Sequence, residues 1–145
     1  MMRKIRALSD IIIKLNKHAE KIKYPYFLFG LFGIIAYPLY YVFWFYISPQ
    51  GYESILIRSI AVLLCIPLLL INLWPSALKK YVTIYWYLAL TYCLPFFFTY
   101  MLLSNGFSSG WVLNSLTGVV LAILLIDLVP LLIVLPIGMS GTVVL

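Results

Sequence analysis

Charge is what this chain has least of. Asp, Glu, Lys and Arg make up 10% of its 145 residues, against about 25% in a soluble domain. With 65% hydrophobic residues and a mean hydropathy of +1.09, that scarcity excludes a water-soluble globule and leaves lipid as the solvent for much of the surface. Histidine and cysteine are nearly as rare. His18 is the single histidine and lies in a charged segment without a second ligand at helical spacing, so it reads as a surface residue. Cys65 and Cys93 fall deep in apolar runs and read as small core residues rather than a disulfide framework. No phosphate loop, metal-ligand spacing or nucleophile triad occurs. No catalytic residue, metal site or cofactor is expected, and catalysis by this chain is not expected.

The net charge of +6 does not point to nucleic acid, because of where it sits. Seven of the ten Lys and Arg residues lie between Arg3 and Lys23, ahead of the first apolar run. This is the positive-inside pattern, with attraction to anionic lipid headgroups. Within the segment, Ile5, Leu8, Ile12, Leu15, Ala19 and Ile22 recur at spacings of three and four, while Arg6, Lys14, Lys17 and Lys21 occupy the rest of the surface. An apolar stripe with a basic face suits a helix lying in the headgroup region, with a short coiled-coil contact as the rival reading. Residues 1–25 are accordingly expected as a cytoplasmic amphipathic segment, and 26–145 as a transmembrane domain.

Apolar runs at 26–47, 55–74 and 81–103 are each near the 20 or so residues that cross a ~30 Å hydrocarbon layer. From Trp111 to the last residue the chain is again apolar, too long for one helix. The expected break is at Asp127-Leu128-Val129-Pro130, where Asp127 can cap a helix whose first turn accepts proline; a break near 136–141 is the alternative. The fold class is therefore all-α, a polytopic membrane bundle of about five helices. Lys79 and Lys80 mark the 75–80 loop as inward, so the loops at 48–54 and 104–110 face outward.

A few residues break the apolar pattern. Arg58 stands one turn inside the second span, where a charge is costly; it either reaches out to pair with Glu53 or helps to hold a polar ligand head. Asn114 lies one turn from Trp111 on the same helical face, and serves either an interhelical hydrogen bond or a ligand. Asp127 is read as a turn cap in preference to an intramembrane acid. Tyr37, Tyr41 and Trp44 share one face of the first span, and Tyr85, Tyr92 and Phe96 one face of the third. Pro38, Pro67 and Pro95 lie inside spans and bend helices around cavities. Kinked helices with aromatic walls suit an amphiphile, and simple bulky packing would look the same in composition.

Residue order then adds what composition lacks. Tyr40-Tyr41-x-x-Trp44-x-Tyr46-x-x-Pro49-Gln50-x-Tyr52-Glu53, the following Arg58, the run Leu94-Pro95-Phe96-Phe97-Phe98 and the pair Trp111-x-x-Asn114 resemble the membrane sensor domain of α-hydroxyketone quorum-sensing histidine kinases, the cholera-autoinducer type. The similarity spans residues 33–127. It implies a six-helix sensor, incomplete here at its C-terminal end, joined in the parent protein to a dimeric kinase. It implies a bacterial inner-membrane location with a cytoplasmic N-terminus, and a lipid-like α-hydroxyketone as ligand. In the family the Trp-x-x-polar element tunes selectivity, which falls on Trp111 and on Asn114, where serine is common. The candidate ligand-binding residues are Trp111, Asn114, Arg58, Tyr41, Trp44, Tyr92, Phe96 and Phe97. Two other readings stay open: a small transporter or channel subunit, for which Asp127 is the one hint, and a structural membrane partner, which would favour small-residue packing motifs over bulky aromatics.

Overall fold

The computed structural model describes residues 23–142 as helices joined by short turns, with no strand among the described residues. The basic segment expected at 1–25 lies almost entirely outside them. Helix α1 (Lys23–Val42) runs straight into a wide π turn, Phe43–Ile47. After the loop comes α2 (Ile55–Leu69), closed by a 3-10 turn at Ile71–Leu73, and then the short α3 (Ser76–Lys79). A long third rod follows, made of α4 (Val82–Thr91), a second π turn at Tyr92–Phe96 and α5 (Phe97–Ser104). The described residues finish with α6 (Ser109–Leu125) and α7 (Leu128–Gly141).

Local chemistry sets several of these boundaries. Ser54 caps α2, its side chain accepting from the Ile57 backbone N–H. α5 ends at a turn in which Gly106 takes a left-handed φ of 56° and Phe107 one of 58°, the Phe107 N–H returning to the Leu102 carbonyl. The apolar run after Trp111 breaks where expected, at extended Ile126 and Asp127. Asp127 occupies the N-cap position of α7 but makes no side-chain capping bond to it.

By length and composition, Pro25–Ile47 and Val82–Ser104 are long and apolar enough to cross a membrane. Ile55–Leu69, Ser109–Leu125 and Leu128–Gly141 are apolar but shorter. The outward faces are largely apolar, with Leu39, Leu63, Leu124 and Ile133 all more than half exposed.

α1 and α2 form the closest pair, and glycine makes it possible. A Cβ on Gly30 would lie 3.0 Å from the Cys65 carbonyl, and one on Gly33 would run into the Cys65 sulfur. This is a small-residue contact of the kind that lets membrane helices approach. The aromatic-rich reading of the spans passed over it. Across the bundle, Trp86 of α4 meets Tyr26 and Phe29 of α1 edge-on at 4.7 and 5.4 Å. The Tyr85 and Tyr92 hydroxyls donate to the Leu64 and Ile57 carbonyls and pin the third rod to α2. α7 seats on the second π turn, where a Cβ on Gly138 would lie 2.5 Å from the Pro95 ring. Cys65 and Cys93 are both free and fully buried.

Candidate functional site

α1 and α6 face each other across a cleft holding about 630 Å³ of empty space, part of it open to the outside. Gly33, Tyr37, Tyr40 and Trp44 supply one wall, at spacings of four, three and four along α1 and its π turn. Trp111, Asn114, Thr117 and Leu121 supply the other at the same helical period along α6. Leu94, Phe97 and Phe98 close the back, and Arg58 enters from α2.

Arg58 is 3% exposed and does not reach out to solvent. Its Nε donates to Glu53 Oε2 at 2.9 Å and its Nη2 to Oε1 at 3.0 Å, while Nη1 donates to the Tyr37 carbonyl at 3.3 Å. The guanidinium carbon lies 5.3 Å from the Phe97 ring centroid and 5.7 Å from that of Trp111, inside the ~6 Å reach of a cation–π contact. Arg58 is thus paired with Glu53 and also lines the cleft. Burial pushes the Glu53 carboxyl above its ordinary value, and the charge and hydrogen bonds of Arg58 offset this only in part.

Two further donors point to the same place. The indole N–H groups of Trp44 and Trp111 are buried and have no acceptor among the described residues. Both line the cleft, their rings 5.9 Å apart. A buried donor without an acceptor costs about 1–3 kcal/mol, so a ligand oxygen placed there would remove an existing penalty.

Of the candidate residues, Arg58, Trp44, Phe97, Trp111 and Asn114 come together at the cleft. Tyr41, Tyr92 and Phe96 do not, and each has a physical reason. Tyr41 sits about 100° further round α1 than Tyr40, and stacks on Phe45 at 5.5 Å; Tyr40 takes the lining position instead. Tyr92 turns its hydroxyl to the Ile57 carbonyl, and Phe96 lies stacked between Tyr92 and Tyr100. Both belong to the π turn Tyr92–Phe96, whose wider pitch means that a uniform helical period does not carry through Pro95 to Phe97. Beside Asn114, it is Ser115 that makes the interhelical hydrogen bond, to the Phe98 carbonyl. Sequence reasoning missed Phe32, Gly33, Ala36, Tyr40, Phe98 and Thr117; the 33–37–40–44 period was the signal that could have found the α1 wall.

At one end of the cleft the two long loops meet. Asn105 Oδ1 accepts from the Tyr52 N–H at 2.8 Å, and Asn105 Nδ2 donates to the Tyr52 carbonyl at 3.0 Å. The Ser108 hydroxyl bonds Gln50 Oε1 at 3.1 Å. The loops at 48–54 and 104–110 thus share one end of the bundle, as their lack of Lys and Arg implied.

No family model matches the chain, and no solved structure matches it. Over 117 residues, 81% of its length, the chain is 32% identical to the CAI-1 autoinducer sensor kinase/phosphatase CqsS of Vibrio cholerae. It spans 17% of the length of that relative. The chain is therefore similar to part of an autoinducer sensor kinase, as the resemblance read from its sequence implied.

Proposed function

We propose that this chain is the ligand-sensing membrane part of a quorum-sensing receptor, and that it binds a hydrophobic α-hydroxyketone in the cleft between α1 and α6. The observation that carries the reading is the pair of orphaned indole donors, on Trp44 and Trp111, beside Arg58 at the end of an apolar cleft. Vicinal ketone and hydroxyl oxygens are acceptors for such donors, and Asn114 adds both a donor and an acceptor. An alkyl tail suits the Phe29, Phe97, Phe98 and Leu121 surfaces.

In this reading the five apolar helices all lie in the bacterial inner membrane with the N-terminus in the cytoplasm. The shorter ones gain length from their flanking turns. The parent protein is a dimeric two-component kinase, in which ligand binding favours one helix arrangement and so shifts kinase against phosphatase activity. Kinship with a sensor kinase/phosphatase supports that context.

The test is equilibrium binding of a labelled alkyl α-hydroxyketone to the protein in lipid. Trp111→Phe keeps a ring but removes the N–H, and should cost about tenfold in affinity; Asn114→Ala should weaken binding or change tail preference. Unchanged affinity and selectivity in both would sink the site.

A further inference from the structure

Resting on that reading, we infer that the ligand reaches the cleft sideways from the hydrocarbon layer, through a gap between α1 and α6, and not through the outer loops. The first observation is where the cleft is open. Its walls include exposed residues on both sides of the gap: Phe32, 58% exposed, and Tyr40, 44% exposed, on α1, and Thr117 on α6. Ala36 and Leu121 lie half-buried between them. α1 packs along α2, and α6 packs on α5 and the second π turn, but α1 and α6 have no comparable packing against each other. The surfaces beside the gap are apolar, with Leu28, Ile35, Leu113 and Leu116 all more than half exposed.

The second observation is where the cleft is closed. At the loop end Trp44 sits so near α6 that a Cβ on Gly110 would lie 3.0 Å from its ring. Above it stand the Arg58–Glu53 pair, the reciprocal Tyr52–Asn105 bonds and the Gln50–Ser108 bond. Passage through this end would break an ion pair and several hydrogen bonds, and would carry an apolar tail past them. An alkyl chain is already concentrated in the bilayer. The sideways path needs only that Phe32, a side chain on an exposed edge, turn aside.

A brominated alkyl α-hydroxyketone, which quenches Trp44 and Trp111 fluorescence on binding, would follow access by stopped flow in vesicles holding the full-length receptor. Thr117→Phe narrows the gap and should slow association by about tenfold. Phe32→Ala widens it and should speed association. Asn105→Ala, which unties the outer loops, should leave the rates as they are. Loss of affinity through faster dissociation in Thr117→Phe would mean a filled pocket instead of a narrowed gap, and would overturn the inference. So would unchanged rates in both gap variants, or faster binding in Asn105→Ala. Those outcomes leave the ligand assignment standing; absence of quenching in the unmodified receptor overturns both.

Discussion

Arg58 and Glu53 form a two-pronged ion pair, Nε to Oε2 at 2.9 Å and Nη2 to Oε1 at 3.0 Å, with each side chain only 4% exposed. The pair ties the loop to the helix it precedes and sets the positive edge of the cleft. Breaking one side of a buried pair costs more than the pair contributes, because the other charge is stranded. Arg58→Leu alone should destabilise by about 3–5 kcal/mol. Arg58→Leu combined with Glu53→Leu should recover most of that loss. Thermal unfolding of the four proteins of the cycle in detergent checks both statements.

The pH response follows from the same site. Glu53 has its native pKa raised by burial, in spite of Arg58. The folded protein therefore holds this proton more tightly than the unfolded chain does. Its contribution to stability is full below the ordinary carboxylate value of 4.5 and is lost as pH rises through the raised native value. Over that window, stability should fall more steeply with pH in the unmodified protein than in Glu53→Gln. Unfolding midpoints taken from pH 4 upward measure the difference, and equal slopes would contradict it.

Two glycines should separate folding from binding. A Cβ on Gly138 meets the Pro95 ring at 2.5 and 2.7 Å and the Phe96 nitrogen at 3.0 Å, all of them rigid. Gly138→Ala should unseat α7 and cost about 1–3 kcal/mol. A Cβ on Gly118 meets instead the ring of Phe98, at 2.5 Å, and that ring lines the cleft. Gly118→Ala should displace Phe98 and lower ligand affinity by more than it lowers the unfolding temperature.

Tyr37 contributes a hydroxyl as well as a wall. It donates to the Cys93 carbonyl, within the second π turn. Tyr37→Phe leaves that buried acceptor unmatched and should cost about 1–3 kcal/mol. Hydrogen exchange should show faster opening at residues 92–96, while α7 beyond Gly138 changes less.

The sequence was a good guide wherever a single period held. Apolar length placed the helices, and Asp127 with Pro130 marked the last break to the residue. Absence of Lys and Arg in two loops put them at one end, where Tyr52 and Asn105 bond. The site was half legible. Residue order pointed to Trp111, Asn114, Trp44, Phe97 and Arg58, which do converge. Tyr41, Tyr92 and Phe96 were misplaced because aromatic content does not say which side of a helix a ring takes, and because π turns alter the period without a sequence marker beyond Pro95. The close approach of α1 to α2 also went unread, since two glycines among aromatics look unremarkable until Cys65 is seen behind them.

The wide turn at Tyr92–Phe96 gives the third rod two addresses. Tyr85 before it and Tyr92 at its start are fastened to the backbone of α2; after it, Phe97 and Phe98 line the cleft and Ser115 holds the Phe98 carbonyl. The turn therefore works as a phase shifter between a half fixed to α2 and a half that lines the cleft. Tightening it by one residue to ordinary α pitch would swing everything beyond by about 100°. A small change of pitch there, far below a full residue, would rotate α5 against α6 and α7.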